Sequence, residues 1–511
     1  MKKYRLLTVF VALMGIFTMT SCGDDFLTAS STEKQEAGGA ATEGAILSNL
    51  GSAYQILLFD SYANGNYNSI MLMSDMRSDD IFKGGGDAGD QLQLYYLSLF
   101  TSTSNATIGG LWTIYFRGLA RCNNVIIACQ NAVGVDAAKL KQYNAEAHFL
   151  RAYYVHLLWK YWGNIPYFEE PLSSPPYMTR QFTADEVYKE IMEDLVVACE
   201  DGAMAFKPTG ASLGRVSRAA ALMLKARVVL YQKDQSRYDE ITNDMATIIK
   251  SGSFDLFSNY DAMWEDANEF CIESIFESNQ LPEGKSWSNS NQGYGTNLPA
   301  YVSPNELKDP ANIFKGGWGF GPVRPGTLAM FEEGDTRRDG SLNVWPDGSY
   351  NPRFQNTGIF LRKYAARVGY NPPPGDVDLN YANNLRIFRF AETLLNYVEL
   401  VRMHGRAEAQ GVSAQACFDR VRARAFGKAN PIEMTPENIK MERRLEFVGE
   451  GMRFWDLVRW GDAATVLTEN LPQHSSIRTF TEQKKYLPIP QGEMASTIGT
   501  EFELKQNPGW E

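Results

Sequence analysis

The sequence is short of the residues that catalytic and metal centres most often use. Its 511 residues include four histidines and six cysteines. His148, His156, His404 and His474 form no pair at i, i+4, and no HExxH, GxSxG or phosphate-binding-loop pattern occurs. Beyond Cys22, the cysteines are Cys122, Cys129, Cys199, Cys271 and Cys417, an odd and widely spaced set that gives neither a disulfide framework nor a zinc spacing. Cys122 and Cys129 sit on one expected helix about 10.5 Å apart along its axis, too far to bond each other, and read as small buried apolar residues. No cofactor or metal follows from these residues. Positive charge is also in deficit: the net charge of −11 argues against nucleic acid and anionic lipid as partners and is compatible with neutral ligands. Carboxylates are plentiful, but their spacing points to no glycosidase pair. No run reaches eighteen apolar residues, so no segment is expected to span a membrane.

What is present begins at the N-terminus. Lys2, Lys3 and Arg5 precede the apolar stretch Leu6 to Phe17, which is too short to cross a bilayer of about 30 Å. Thr20 and Ser21 lead into Cys22, the pattern of a lipoprotein signal whose cysteine is acylated after cleavage. Residues 1–21 are therefore read as signal peptide, and residues 22–42, rich in Ser, Thr, Glu, Gly and Ala, as a lipidated flexible tether. The pair Asp24-Asp25 is either solvated linker or an acidic export tag.

Roughly 490 residues remain, enough for two or three domain-sized units or one large repeat assembly. The full sequence's apolar content of 44% and aromatic content of 12% suit a packed protein. Apolar spacings of three and four predict helices at Ala45–Phe59, Gly110–Ala132, Ala137–Tyr161, Ala184–Asp201, Ser217–Gln232, Tyr238–Ser251, Ile387–His404, Ala414–Ala425 and Pro436–Arg459. They come as pairs with short joints and small residues at close approaches, a degenerate tetratricopeptide-like helical repeat. Between them, residues 279–384 are dense in Gly, Pro and Asn with aromatics scattered through, and predict an ordered loop region.

Five segments, in this order, resemble the SusD/RagB family of outer-membrane nutrient-binding lipoproteins. They are Cys22-Gly23-Asp24-Asp25-Phe26-Leu27; Ala145 to Tyr154 running on to Trp162-Gly163-Asn164-Ile165-Pro166; Gly317-Trp318-Gly319-Phe320 with Phe331 to Arg337; Arg389 to Tyr397 with Glu442 to Glu446 and Glu450 to Trp460; and Tyr486 to Pro490 with Gln506-Asn507-Pro508-Gly509-Trp510. The resemblance implies a mainly α fold, with tetratricopeptide-like helix pairs (residues 43–270) and a C-terminal region (271–511) carrying ligand loops at 279–384. It implies a lipid-anchored protein on the outer face of the outer membrane, where Asp24-Asp25 then reads as the export tag. Such proteins form a lid on a SusC-like TonB-dependent transporter and pass it glycans, or peptides in the RagB branch, without being enzymes. A surface glycoside hydrolase is the competing class.

Glycan capture needs flat rings for sugar C–H faces and polar partners for hydroxyls. The segment Trp287, Asn289, Asn291, Tyr294 has that composition, and Tyr301, Trp318 and Phe320 join it as candidates, with Trp318 open to a structural role as well. The resemblance adds a second candidate wall in Asp75 to Asp90, with Arg77 and Asp80. Glu450, Arg453, Asp456 and Arg459 are expected to be a charge network on a helix face, with Arg453 reaching either acid, and His148 a hydrogen-bonded structural residue.

Overall fold

Helix starts are written into the sequence as caps. The computed structural model describes residues 39–60, 70–172, 177–282, 284–287, 295–471 and 476–510. Its principal helices are α1 Glu43–Gln55, α2 Ile70–Met76, α3 Leu92–Leu99, α4 Gly109–Gln130, α5 Ala137–Trp162, α6 Ala184–Ala198, α7 Arg218–Gln232, α8 Tyr238–Lys250, α9 Leu298–Val302, α10 Phe390–Arg402, α11 Ala414–Phe426, α12 Pro436–Phe447 and α13 Arg453–Trp460. Thr42, Asp136, Ser217, Ser413 and Thr435 each accept a backbone N–H of the first turn that follows them. Thr183 and Glu186 form a reciprocal capping box at α6. The signal peptide, Cys22 and most of the expected tether lie outside the described residues. The tether's last residues are fixed: Ala41 is buried and exchanges backbone bonds with Asn131 and Val133.

The helices stack as successive hairpins. α4 packs on α5, α5 on α6, α6 on α7, and α7 on α8, while α1 covers α4. Gly118 sits where α4 crosses α5; a Cβ there would lie 2.6 Å from the Tyr154 ring. The small residues Ala145, Ala147, Ala219, Ala220 and Ala221 are fully buried, as close helix approach requires. This is the tetratricopeptide-like arrangement expected from the sequence. α8 then packs on α10, and α10 on α11 and α12, so one continuous apolar core runs from Ala41 to Leu504 across the boundary expected near residue 270.

Two expected helices differ. Ile387–His404 begins as a strand: Leu385–Arg389 pairs antiparallel with Ser274–Ser278, and the helix starts only at Phe390. Apolar residues at 385, 387, 388 and 390 suit either period, and pairing with 274–278 decides it. Pro436–Arg459 is two helices, because Gly449 and Gly451 take positive φ of 79° and 72°. A Cβ on Gly451 would lie 2.9 Å from Met71 Cα, so the break also seats α13 on α2.

That break turns Glu450 inward. Its carboxylate takes Lys363 Nζ at 2.6 Å and Arg389 Nη2 at 2.7 Å. Arg389 also meets Glu273 and Glu446, and Arg337 meets Asp335, Glu442 and Glu446, all buried. Arg453 reaches neither acid of its own segment; it pairs with Asp79 at 2.8 Å. Asp456 pairs with Arg443 and Arg459. The motif is thus a charge network, as expected, but one buried between elements rather than displayed on a helix face.

The C-terminal segment closes the molecule. Leu487 N donates to Tyr161 O at 2.6 Å, and Asn507 Nδ2 bonds both Trp162 O and Leu487 O, at 2.7 and 2.9 Å. Trp162 Nε1 donates to Pro488 O at 3.2 Å. The end of α5 is therefore held by residues more than three hundred positions later.

Candidate functional site

Trp318 is aimed by its backbone. Residues 317–320 run back along α9: Trp318 N–H donates to Ala300 O at 2.6 Å, Gly319 N–H to Ser303 O at 2.8 Å, and Phe320 N–H to Tyr301 O at 2.8 Å. A Cβ on Gly317 would stand 2.2 Å from Ala300 O, so glycine is what permits this approach. The indole of Trp318 then rests edge-on against Tyr301, with centroids 4.8 Å apart and planes at 75°. Tyr301 makes a similar contact with Phe320 at 5.0 Å. Tyr301 and Phe320 are both buried, so they support Trp318 from below; as ligand-facing residues they are corrected.

Trp287 arrives from a separate segment. Its ring lies 6.1 Å from that of Trp318 at an angle of 32°, and the residue is 44% exposed. The backbone N–H of Trp287 donates to Asp376 Oδ2 at 2.8 Å, and Trp318 Nε1 donates to Asp378 Oδ2 at 3.2 Å. Arg353 Nη1 donates to Trp318 O at 3.2 Å. Two indoles at a shallow angle, two carboxylates and a guanidinium thus meet at one place. Chemically this suits a ligand with apolar ring faces and peripheral hydroxyls. Asn289, Asn291 and Tyr294, the rest of the expected platform, lie outside the described residues.

The second expected wall divides. Residues 81–85 do lie against the Trp318 segment, with Phe82 N bonded to Pro322 O, Gly321 N to Lys83 O, and Gly85 N to Gly319 O. Arg77 and Asp80, however, are fully buried, which corrects their assignment as ligand contacts. The Arg77 guanidinium lies 3.9 Å from the Phe454 ring and donates to Lys484 O and Lys485 O, both at 2.8 Å. Asp80 pairs with Arg444 at 2.6 Å. Both side chains fasten the early loop to the C-terminal half, a role their polarity concealed. His148, by contrast, is the structural residue expected, with Nδ1 2.6 Å from Asp194 Oδ1.

Asp376, Asp378 and Arg353 escaped the sequence reading. They lie within the aromatic-rich loop stretch, but the only signal was an Asp-Val-Asp spacing in a Pro/Gly-rich run, which is common in solvated loops. Among the described residues no cluster of three His, Cys, Asp or Glu side chains could hold a metal, and no helix is long and apolar enough to cross a membrane. The five described cysteines are unpaired thiols. A recess of about 590 Å³ beside α1 shares no residue with the tryptophans; its walls join leucines such as Leu47 and Leu281 to Gln55, Arg215, Glu277 and Asn279.

Helix hairpins of tetratricopeptide type carrying an irregular, tryptophan-faced loop region define a class of protein for which the comparisons supply the family. A family model described as "SusD family" matches residues 276–510, and one described as "Starch-binding associating with outer membrane" matches residues 25–230. Surface glycan-binding protein A from Bacteroides fluxus is 70% identical, with a TM-score of 0.89 over 92% of this chain and 100% of its own. Surface glycan-binding protein A from Bacteroides thetaiotaomicron, solved in complex with laminarihexaose, is 36% identical with a TM-score of 0.85 over 91% of this chain and 100% of its own. A laminarin-binding SusD-like protein is 28% identical with a TM-score of 0.78, over 92% of this chain and 100% of its own. The chain belongs to the SusD family.

Proposed function

We propose that this protein captures a laminarin-type glucan at the cell surface and passes it to a SusC-like TonB-dependent transporter. The observation that carries the reading is the Trp287–Trp318 pair, 6.1 Å apart and bordered by Asp376, Asp378 and Arg353. Sugar C–H faces stack on the indoles, while the side-chain oxygens and guanidinium receive hydroxyls. The ligand class is supported by the similarity to the protein solved with laminarihexaose. Cys22 carries the lipid anchor, Asp24-Asp25 directs export, and Asn289, Asn291 and Tyr294 extend the platform; the signal-like N-terminus and the family support these readings.

The protein binds without cleaving. Asp376 and Asp378 are the carboxylates of its candidate site, and each orients a tryptophan segment through a hydrogen bond. Isothermal titration with laminarin, laminarihexaose, other polysaccharides and a peptide mixture tests the reading. Heat with laminarin and silence with peptides is expected; binding of peptides alone would move the protein to the RagB-type alternative. Release of reducing ends on incubation with laminarin would overturn the non-catalytic reading.

A further inference from the structure

Trp287 and Trp318 come from segments thirty residues apart, and the bridge between them passes through one amide. Asn380 is fully buried in the loop region. Its Oδ1 accepts Lys285 N–H at 2.8 Å, and its Nδ2 donates both to Lys285 O and to Asp376 O, the latter at 2.8 Å. One side chain therefore brackets both backbone groups of Lys285 and fixes residue 376. Two residues beyond these points stand Trp287 and Asp378. Asp376 reinforces the tie, since its N–H donates to Lys285 O at 3.0 Å and its Oδ2 accepts Trp287 N–H. The Lys285 side chain is itself buried and donates to Gly295 O at 3.1 Å, while Thr296 and Tyr381 exchange both backbone bonds. On the other side, Asp378 accepts from Trp318 Nε1.

From this we infer that Asn380 is a positioning residue: it sets the angle between the two tryptophans and so sets the affinity for a stacked ligand. The inference rests on the platform reading above. The physical reason is preorganisation. A tryptophan held in its binding orientation loses less freedom when the ligand arrives, and an amide whose oxygen and two N–H bonds are all used has one orientation available. The surroundings are local: Ala300, Ala366 and Tyr381 form a small apolar cluster of their own, with Trp318 and Tyr370 against it.

The test is a double-mutant cycle on the full-length protein, read by titration with laminarihexaose and by thermal unfolding. Asn380→Leu keeps the branched shape, with a larger volume, and removes all three bonds. It is expected to weaken binding about tenfold, with the unfolding temperature kept within about 5 °C. If Asn380 acts through Trp287, then Trp287→Ala and the double variant Trp287→Ala/Asn380→Leu bind equally, to within about twofold. Should Asn380→Leu lower the unfolding temperature further, Asn380→Ala, which removes the same three bonds without adding volume, takes its place in the same cycle with the same expectation. Wild-type binding by these variants, or losses that multiply in the double variant, would overturn the inference while leaving the platform reading standing. Unchanged binding by Trp287→Ala would overturn both.

Discussion

At the scale of single residues, polarity is a poor guide to position in this protein. Arg77, Asp80, Arg337 and Arg389 have the composition of a ligand site and lie in the interior, whereas Trp287, a large aromatic residue, stands at the surface. Removing one member of a buried ion network leaves its partners short of a counter-charge. Arg389→Ala takes one cation from Glu273, Glu446 and Glu450, leaving them to Arg424, Arg337 and Lys363, and is expected to cost roughly 3–5 kcal/mol of stability, measured by denaturant unfolding. Trp287→Ala and Trp318→Ala leave no stranded charge. Each is expected to weaken laminarin binding by tenfold or more, about 1.4 kcal/mol or above, with Trp318→Ala also lowering stability because its ring covers Tyr301. Titration alongside unfolding separates the two effects.

At the scale of elements, the helices were legible wherever caps and apolar periodicity coincided, as at Asp136 before α5 and Thr183 before α6. α2 and α3 were not legible, since Ile70–Met76 and Leu92–Leu99 are short and α3 lacks a side-chain cap. The split at Gly451 was missed because the sequence keeps helical spacing through the break; what decides it is contact with Met71, far away in the chain. For the candidate site, the aromatic residues were visible and their layering was not, because Tyr301 on α9 comes to lie beneath Trp318 only through the backbone bonds of residues 317–320. Close helix approach gives a further test. Gly118→Ala places a Cβ 2.6 Å from the Tyr154 ring and 3.2 Å from Ile56, and is expected to destabilise the α4–α5 hairpin by about 1–3 kcal/mol in chemical denaturation.

At the scale of the whole molecule, the buried carboxylates give stability a pH dependence. Burial acting alone would raise the Glu446 carboxyl, but Arg424, Arg389 and Arg337 overcome it and hold it well below its ordinary 4.5. Glu399 is likewise held far down by Arg459 against the effect of burial. Groups with depressed folded values are protonated first in the unfolded chain. Their contribution is complete above about pH 5 and falls away as pH drops through 4.5 toward 2. Thermal unfolding temperatures are therefore expected to fall steeply below pH 4.5; a profile unchanged from pH 5 down to pH 3 would contradict this account.

The clasp at the end of α5 has a consequence for synthesis. Asn507 holds the carbonyl of Trp162, 345 positions earlier, and Leu487 holds that of Tyr161. A polypeptide grows from its N-terminus, so the hairpin stack emerges long before its fastener exists. Until residues 487 and 507 have been synthesised, the carbonyls of Tyr161 and Trp162 lack these native partners, so the finished end of α5 is a late product of folding.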